Sequence, residues 1–400
     1  MPRRRRTDMP CRRGKLQKTA GEDSIPRQIG PSSSSEPPSV YLVVGHEVTR
    51  PAYSVVKVNP FSVGGCDDAP IPMPRHLARL EAKHCMSFAP VQSRHGPWIV
   101  GVGGNSPQDY GPETIVFDTK THEVIPGPKL MSTKLHPLLF PFGSRICALV
   151  RNPSVKGEVD FVPWFEVLDL SQARIVDGHL VDCKWEQLPR PPFFPWELSP
   201  RQYIYPPEVN VESYVAVDSY ILLSITRQRG THMFNVNTEE WMKLDDKDLP
   251  FIRGAIAHGP LFLGLSRATK AMTAYKITVC ATAAPSSSIT EGLPSLSIVE
   301  FPLVTGIEEN EEFARTGNFV SLGNHGFCLF TCCDDDLVPG FEHTQELVSM
   351  RVCTIEDQLS QDYLKPISDI VTSNQLKQVY NICDLCRRLV HAYTMLYPYE

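Results

Sequence analysis

Cys383 and Cys386 form a CxxC pair, the one spacing in the chain that matches metal or redox chemistry. A structural zinc takes about four Cys or His ligands. The other cysteine cluster is Cys332, Cys333 and Cys353, and His391 follows the CxxC closely. A zinc shared between these groups would pin the C-terminal segment to the strands before it. The opposing reading makes both thiols small hydrophobes on an apolar face, and without a second CxxC it is the one preferred. No metal is assigned, and Cys383 and Cys386 stay only as candidates. The run GVGG at Gly101 resembles a phosphate loop, but NSPQDYGP follows it, and those prolines and turn residues forbid the helix a dinucleotide site requires. No GxSxG, HExxH, Walker or kinase signature occurs. The reading assigns no catalytic residue and no cofactor.

Binding chemistry has a better footing. In RPPFFPWELSPRQYIYPP, Arg190 to Pro207, the prolines fix an extended connection that carries Phe193, Phe194, Trp196, Tyr203 and Tyr205, with Arg201 as a planar donor fork. Aromatic residues and arginine dominate interface anchors. The competing reading is a long connection tucked against the body of the fold. The acidic runs EENEE from Glu308 and Asp334 to Asp336 read as solvated loop tips rather than cation or basic-peptide sites.

These groups sit on a chain of 400 residues with 42% apolar and 21% charged content, which matches a soluble globular protein. The 36 prolines argue against long helices, because proline removes a donor and disrupts the helix interior. No apolar run reaches the roughly 18 residues of a membrane helix. The first 38 residues lack a signal-peptide core, and the scattered cysteines show no disulfide framework, so reduced thiols in the nucleus or cytoplasm are expected. The leader Met1–Pro38 holds nine Lys/Arg against four Asp/Glu, about +5, which leaves about −11 of the formal −6 on the remainder. Its cluster Arg3, Arg4, Arg5, Arg6, Arg12, Arg13 and Lys15 fits a nuclear-import signal equally with a disordered basic tail. Nucleic-acid contact is expected only through this leader, and no membrane contact is expected.

From Val40 to Glu356 the apolar stretches are short, rich in Val, Ile, Phe and Tyr, and bounded by Gly, Pro, Asn or Asp: VYLVVG, YSVVKV, WIVGVGG, TIVFDT, YILLSI, HMFNVN, PLFLGL and others. Each reads as a strand, about sixteen in all. So many antiparallel strands are arranged without long exposed edges by radial repetition. One unit recurs: VFDTKTHEV at Val116, MFNVNTEEW at Met233 and, more loosely, VLDLSQARIV at Val167. In each, Asp118, Asn235 or Asp169 ends a strand and can bond the amides of the following turn. The large apolar residue beyond, Trp241 in the second copy, packs between sheets. Gly103 and Gly104 allow a tight backbone after WIVGV.

The segment WIVGVGGNSPQDYGPETIVFDTKTHEVIPGPKL resembles one kelch repeat. RGTHMFNVNTEEWMKLDDKDLPF, with GAIAHGPLFLGL after it, is similar to a pattern in a plant family of unknown function, abundant in grasses, whose members look like degenerate kelch propellers. The resemblance covers Val40 to Glu356 and implies an all-β, kelch-like β-propeller. Six blades are expected, near 40–84, 85–144, 145–210, 211–253, 254–315 and 316–356, with seven the nearest alternative count. Only the first copy carries the double glycine. Kelch propellers also house copper-radical oxidases, which need a Cys crosslinked to a Tyr, a second Tyr and two His, and no spacing here marks that set. Many plant kelch proteins carry an F-box, and the leader has no such segment.

Beyond Glu356 the stretch TSNQLKQVYNICDLCRRLVHAYTMLY has Thr372 and Gln375 spaced as a capping box, then Leu376, Val379, Tyr380, Cys383, Cys386, Val390, Tyr393 and Tyr397 at helical intervals. One amphipathic C-terminal helix is expected. The chain thus divides into a disordered basic leader (1–38), a propeller (39–356) and a helical tail (357–400). The function expected is non-catalytic: an unidentified protein partner binds loops on a propeller face, on tentative contacts Phe193, Phe194, Trp196, Arg201, Tyr203 and Tyr205. The alternative is an enzyme with a face-centred site of the kelch-oxidase type.

Overall fold

The structure is a computed structural model, and it describes residues 39–46, 52–61, 70–104, 111–156, 159–280, 294–304, 318–323, 326–334, 346–355, 370–381 and 388–394. The basic cluster from Arg3 to Lys15, Glu308 to Glu312, Asp335, Asp336 and the pair Cys383 and Cys386 lie outside these residues.

Apolar runs such as YLVV and WIVGV do not alternate with polar residues, and the packing explains why. Along Val40–His46, the side chains of Val40, Leu42 and Val44 enter one buried cluster while Tyr41 and Val43 enter another. Trp98, Val100 and Val102 likewise face one way and Ile99 the other. A strand has a side-chain period of two, so a continuous apolar run means that both faces are covered.

Among the described residues the strands fall into antiparallel groups of four; three groups stand as separate sheets, and the others are joined edge to edge in one larger sheet that Ile71–Pro72 also enters beside Ile370–Asn381. In spatial order, the first contains Arg388–Thr394, Val40–His46, Ala52–Val58 and Ala78–Glu81. The second is Met86–Ser93, Gly96–Gly103, Thr114–Asp118 and Val124–Pro126. The third is Leu138–Phe142, Arg145–Leu149, Phe165–Asp169 and Trp185–Gln187, with the hairpin Arg174–Val176 and His179–Val181 inserted before its last strand. The fourth is Val211–Val217, Tyr220–Ile225, Gln228–Asn235 and Glu240–Asp245. The fifth is Phe251–His258, Leu261–Ser266, Met272–Cys280 and Ser295–Val304. The sixth is Asn318–Ser321, Phe327–Asp334, Glu346–Ile355 and Ile370–Asn381. Short parallel bridges, Ser213 with Arg253 and Leu303 with Ile370, join neighbouring members of the last three.

The order of the sheets around the molecule follows from the cores between them. Leu80 and Tyr53 of the first sheet pack with Phe88 and Phe117 of the second. Trp98 of the second meets Leu168 and Trp185 of the third. Phe165 of the third meets Phe234 of the fourth, and Met233 of the fourth meets Phe251 and Tyr275 of the fifth. Leu263 of the fifth packs with Phe327 of the sixth, and Phe330 and Met350 of the sixth return to Leu42 and Val56 of the first. Each sheet is sandwiched between its two neighbours and the series closes, so the fold is a β-propeller.

The recurrent strand–turn unit is built as the sequence suggests. Asp118 Oδ1 accepts from the amides of Lys120 (2.8 Å) and Thr121 (3.1 Å), while its Oδ2 accepts from Trp98 Nε1 (2.9 Å). Asn235 Oδ1 accepts from Asn237 (2.9 Å) and Thr238 (3.4 Å), and Asp169 Oδ1 from Ser171 (2.8 Å). Trp241 packs against Phe165 and Phe234, between the third and fourth sheets.

Where the sequence implies a C-terminal helix, the described residues form strands. Thr372, Gln375, Leu376, Val379 and Tyr380 lie in the strand Ile370–Asn381, where Leu376 pairs with Val352 and Tyr380 with Val348. Val390 and Tyr393 lie in Arg388–Thr394, which pairs with the first strand from Val40↔Thr394 to Gly45↔Arg388. The reason is non-local. Without this segment Val40–His46 would be a bare edge, and its row of backbone donors and acceptors outweighs a modest helical periodicity. Chain ends that share one sheet also close the ring.

Candidate functional site

In an up-and-down four-stranded sheet, the connection from second to third strand and the connection to the next sheet leave from the same end. The described residues of connections of this kind are 104 and 111–113, 127–137, 150–156 with 159–164, and 188–210. They touch one another: Gly104 N donates to Lys134 O (2.8 Å), Asp160 N to Thr133 O (2.8 Å), and Val211 N to Arg151 O (3.1 Å). This end of the second, third and fourth sheets carries the candidate site. Gly103, at φ +106°, permits the approach to Lys134, since a Cβ there would lie 2.7 Å from Lys134 O.

Packing splits the aromatic stretch from Arg190 to Pro207. Phe194 is buried in the core between the third and fourth sheets, and its ring meets Trp164 at 5.6 Å. Phe193 packs on Trp241 (5.2 Å) and His232 (4.3 Å), while its carbonyl accepts from Gln228 Nε2 (3.0 Å). These two residues anchor the connection and are turned inward. Burial also holds the His232 imidazole below its usual pKa, ahead of the repulsion from Lys243.

The rest of the stretch turns outward for a local reason. Ser199 caps the short helix Pro200–Ile204 through a capping box with Gln202, Pro200 supplies a preset first position, and no residue of the helix is buried. Exposure is 47% for Trp196, 57% for Tyr203, 64% for Ile204 and 74% for Tyr205. Arg201 is exposed beside them. Two cations cover aromatic faces: Arg190 lies 4.5 Å from the Trp196 ring centre, and Lys156 Nζ 5.0 Å from that of Tyr203. Lys156 Nζ also donates to Ile204 O (3.4 Å). Of the six expected contact residues, Trp196, Arg201, Tyr203 and Tyr205 are therefore on the surface. Ile204, Lys156 and Arg190 join them, and Lys156 is far enough away in sequence that no spacing points to it.

A second polar centre lies beneath this end. Lys134 and Glu166, both at zero side-chain exposure, form an ion pair. Lys134 Nζ also donates to Ser132 Oγ (2.9 Å) and Pro163 O (2.9 Å), and Glu166 Oε1 accepts from Met131 N (2.7 Å). Burial pulls the Lys134 ammonium below the usual lysine range, and the Glu166 charge opposes that shift. Asp160 accepts from Leu135 N (2.9 Å), and burial pushes its carboxyl up to about 6. A cleft of about 400 Å³ is lined by Glu113, Lys129, Met131, Ser132 and Phe161 among others. Both charged groups of the ion pair are thus engaged inside the protein, and the centre fastens the loops around it.

Cys147 and Cys328 are pushed up to about 12 and Cys353 to about 11, in each case first by burial, so these thiols stay protonated and unreactive at neutral pH. Among the described residues no three His, Cys, Asp or Glu side chains gather as a metal would need. No described helix is long and apolar enough to cross a membrane.

Several solved structures share a distant likeness with this chain. The β-propeller domain of Cps50 (Swd1) from Myceliophteria thermophila is 9% identical, with 78% of this chain and 79% of that chain covered at a TM-score of 0.35. A Bacteroides fragilis protein described as a candidate 6-phosphogluconolactonase is 12% identical over 89% of this chain and 85% of that one, at 0.40. The WD40 domain of SCAP from fission yeast is 10% identical over 84% and 74%, at 0.29. No curated protein matches the sequence. The family described as "Protein of unknown function (DUF1668)" matches residues 37–365, nearly the whole propeller, and the chain belongs to that family.

Proposed function

We propose that the chain is a non-catalytic protein-recognition module: a six-bladed propeller of kelch-like type that binds a protein partner through the connections at one end. The observation that carries this reading is the run of outward aromatic and aliphatic residues, Trp196 ahead of a capped helix and Tyr203, Ile204 and Tyr205 at its C-terminal end, beside the half-buried Phe193 and the buried Phe194. Exposed apolar groups on a rigid support lose little conformational entropy on binding, and aromatic anchors of this kind supply most of the energy at interfaces.

Affinity capture with intact protein and with Trp196→Ala/Tyr203→Ala tests it. A partner retained by the intact protein should be lost from the double variant while thermal stability is unchanged. A partner set indifferent to both substitutions would move the binding surface elsewhere. The leader is proposed to direct nuclear import, so removing Met1–Pro38 should shift the protein to the cytoplasm and leave partner capture intact.

A further inference from the structure

The cations around the aromatic run say what kind of partner it suits. Lys156 and Arg190 rest on the faces of Tyr203 and Trp196, and Arg201 stands in the last turn of the helix. Among the described residues none of the three is in an ion pair. Of the carboxylates near them in the chain, Glu197 is exposed between Arg190 and Arg201, and Asp160 is buried and accepts from Leu135 N. Glu158, two residues from Lys156, lies outside the described residues. Glu186 pairs with Lys184, Glu166 with Lys134 and Glu208 with Arg227. Within Arg190–Pro207 the only acidic residue is Glu197. Although the chain beyond the leader carries about −11 of formal charge, the exposed run from Trp196 to Tyr205 thus has three exposed cations beside it and Glu197 as its one acidic residue.

Building on the recognition role proposed above, we infer that this patch binds an acidic linear peptide segment, with aliphatic side chains seated against Trp196, Tyr203 and Ile204 and carboxylates paired with Lys156, Arg190 and Arg201. A proline-rich ligand needs open aromatic faces, and here Arg190 and Lys156 cover two of them. A nucleic acid would bring a long polyanion against the acidic body, whereas a short peptide gains from the apolar contacts and meets the local positive field alone.

Fluorescence anisotropy with labelled peptides tests the inference on the full chain. The probes are short peptides of alternating Glu and Leu, Ser and Leu, or Lys and Leu, and a single-stranded oligothymidine. The Glu/Leu peptide should bind best and weaken as salt is raised. Lys156→Glu/Arg201→Glu should lower its affinity roughly tenfold or more, with the melting temperature checked to show that the variant is folded. Equal binding of the Ser/Leu or Lys/Leu peptide, stronger binding of the oligonucleotide, absence of Glu/Leu binding, or indifference to charge reversal would each overturn it. Loss of a captured partner from Trp196→Ala/Tyr203→Ala but not from the charge-reversed variant would sink this inference and leave the recognition role standing.

Discussion

Trp164 and Trp196 meet edge to face with ring centroids 5.8 Å apart, and one is buried while the other is half in water. The pair joins the propeller core to its exposed aromatic run. Trp164 Nε1 donates to Asp160 O (3.0 Å), which ties the contact to the loop that carries the buried acid.

The two tryptophans should therefore respond differently to truncation. Trp164→Ala removes a fully enclosed ring and should cost about 3–5 kcal/mol of unfolding free energy. Trp196→Ala should cost less than about 1 kcal/mol. Denaturant titration of both variants measures the difference, and equal costs would contradict the division into anchor and surface.

Removing one partner of the buried Lys134–Glu166 pair should be costly. Lys134→Met alone, or Glu166→Leu alone, leaves a charge without its counterion and should cost about 3–5 kcal/mol. The double replacement should recover much of that loss, because two apolar side chains need no compensation beyond the backbone groups of Met131 and Pro163. A double-mutant cycle with additive costs would show that the pair is not coupled.

Asp160 makes stability depend on pH. Its folded-state value of about 6 is raised from an unfolded value near 4, so the folded state holds the proton more tightly. The stabilisation from that proton is fully present below about pH 4 and is lost as pH rises through about 6, a change of roughly 1–3 kcal/mol. Asp160→Asn should flatten the unfolding free energy over this window. A wild-type profile that already lacks the fall would refute the assignment.

Ring closure can be tested from the other side of the molecule. A chain ending at Asn381 lacks the strand Arg388–Thr394 and leaves the outer hydrogen-bonding edge of Val40–His46 unpaired. It should melt at a lower temperature and self-associate through that edge, as seen by light scattering. A truncated protein that stays monomeric with its original melting temperature would show that the closing pair contributes nothing.

The helical expectation for the tail failed for the same reason that this truncation should matter. Leu376, Val379 and Tyr380 keep intervals that fit a helix, yet Leu376 and Tyr380 pair across the ladder with Val352 and Val348. Intervals within one segment record what that segment could do alone. They do not record the edge of Glu346–Ile355 that takes Leu376 and Tyr380, nor that of Val40–His46, more than three hundred residues away, that takes Arg388–Thr394.

For the candidate site, composition located the stretch from Arg190 to Pro207, because so many aromatic residues and prolines in one connection are unusual. It could not separate Phe194 from Tyr205. That choice depends on a cavity between two sheets that accepts one ring and on a capped helix that lifts the other. Lys156 meets Tyr203 between two different connections, and the Lys134–Glu166 pair, 32 residues apart, joins a connection to the strand Phe165–Asp169.

By itself the sequence determined the all-β character from Val40 to about Glu356 and the local turns: continuous apolar runs require two covered faces, and Asp118 or Asn235 satisfies the amides beside it. Only the tertiary structure decided that the C-terminal segment closes the ring, and which aromatic side chains face water. Hydrogen bonding within a turn is local and is written into neighbouring residues, whereas an unpaired strand edge and a vacant core position are filled by whichever distant segment the fold delivers.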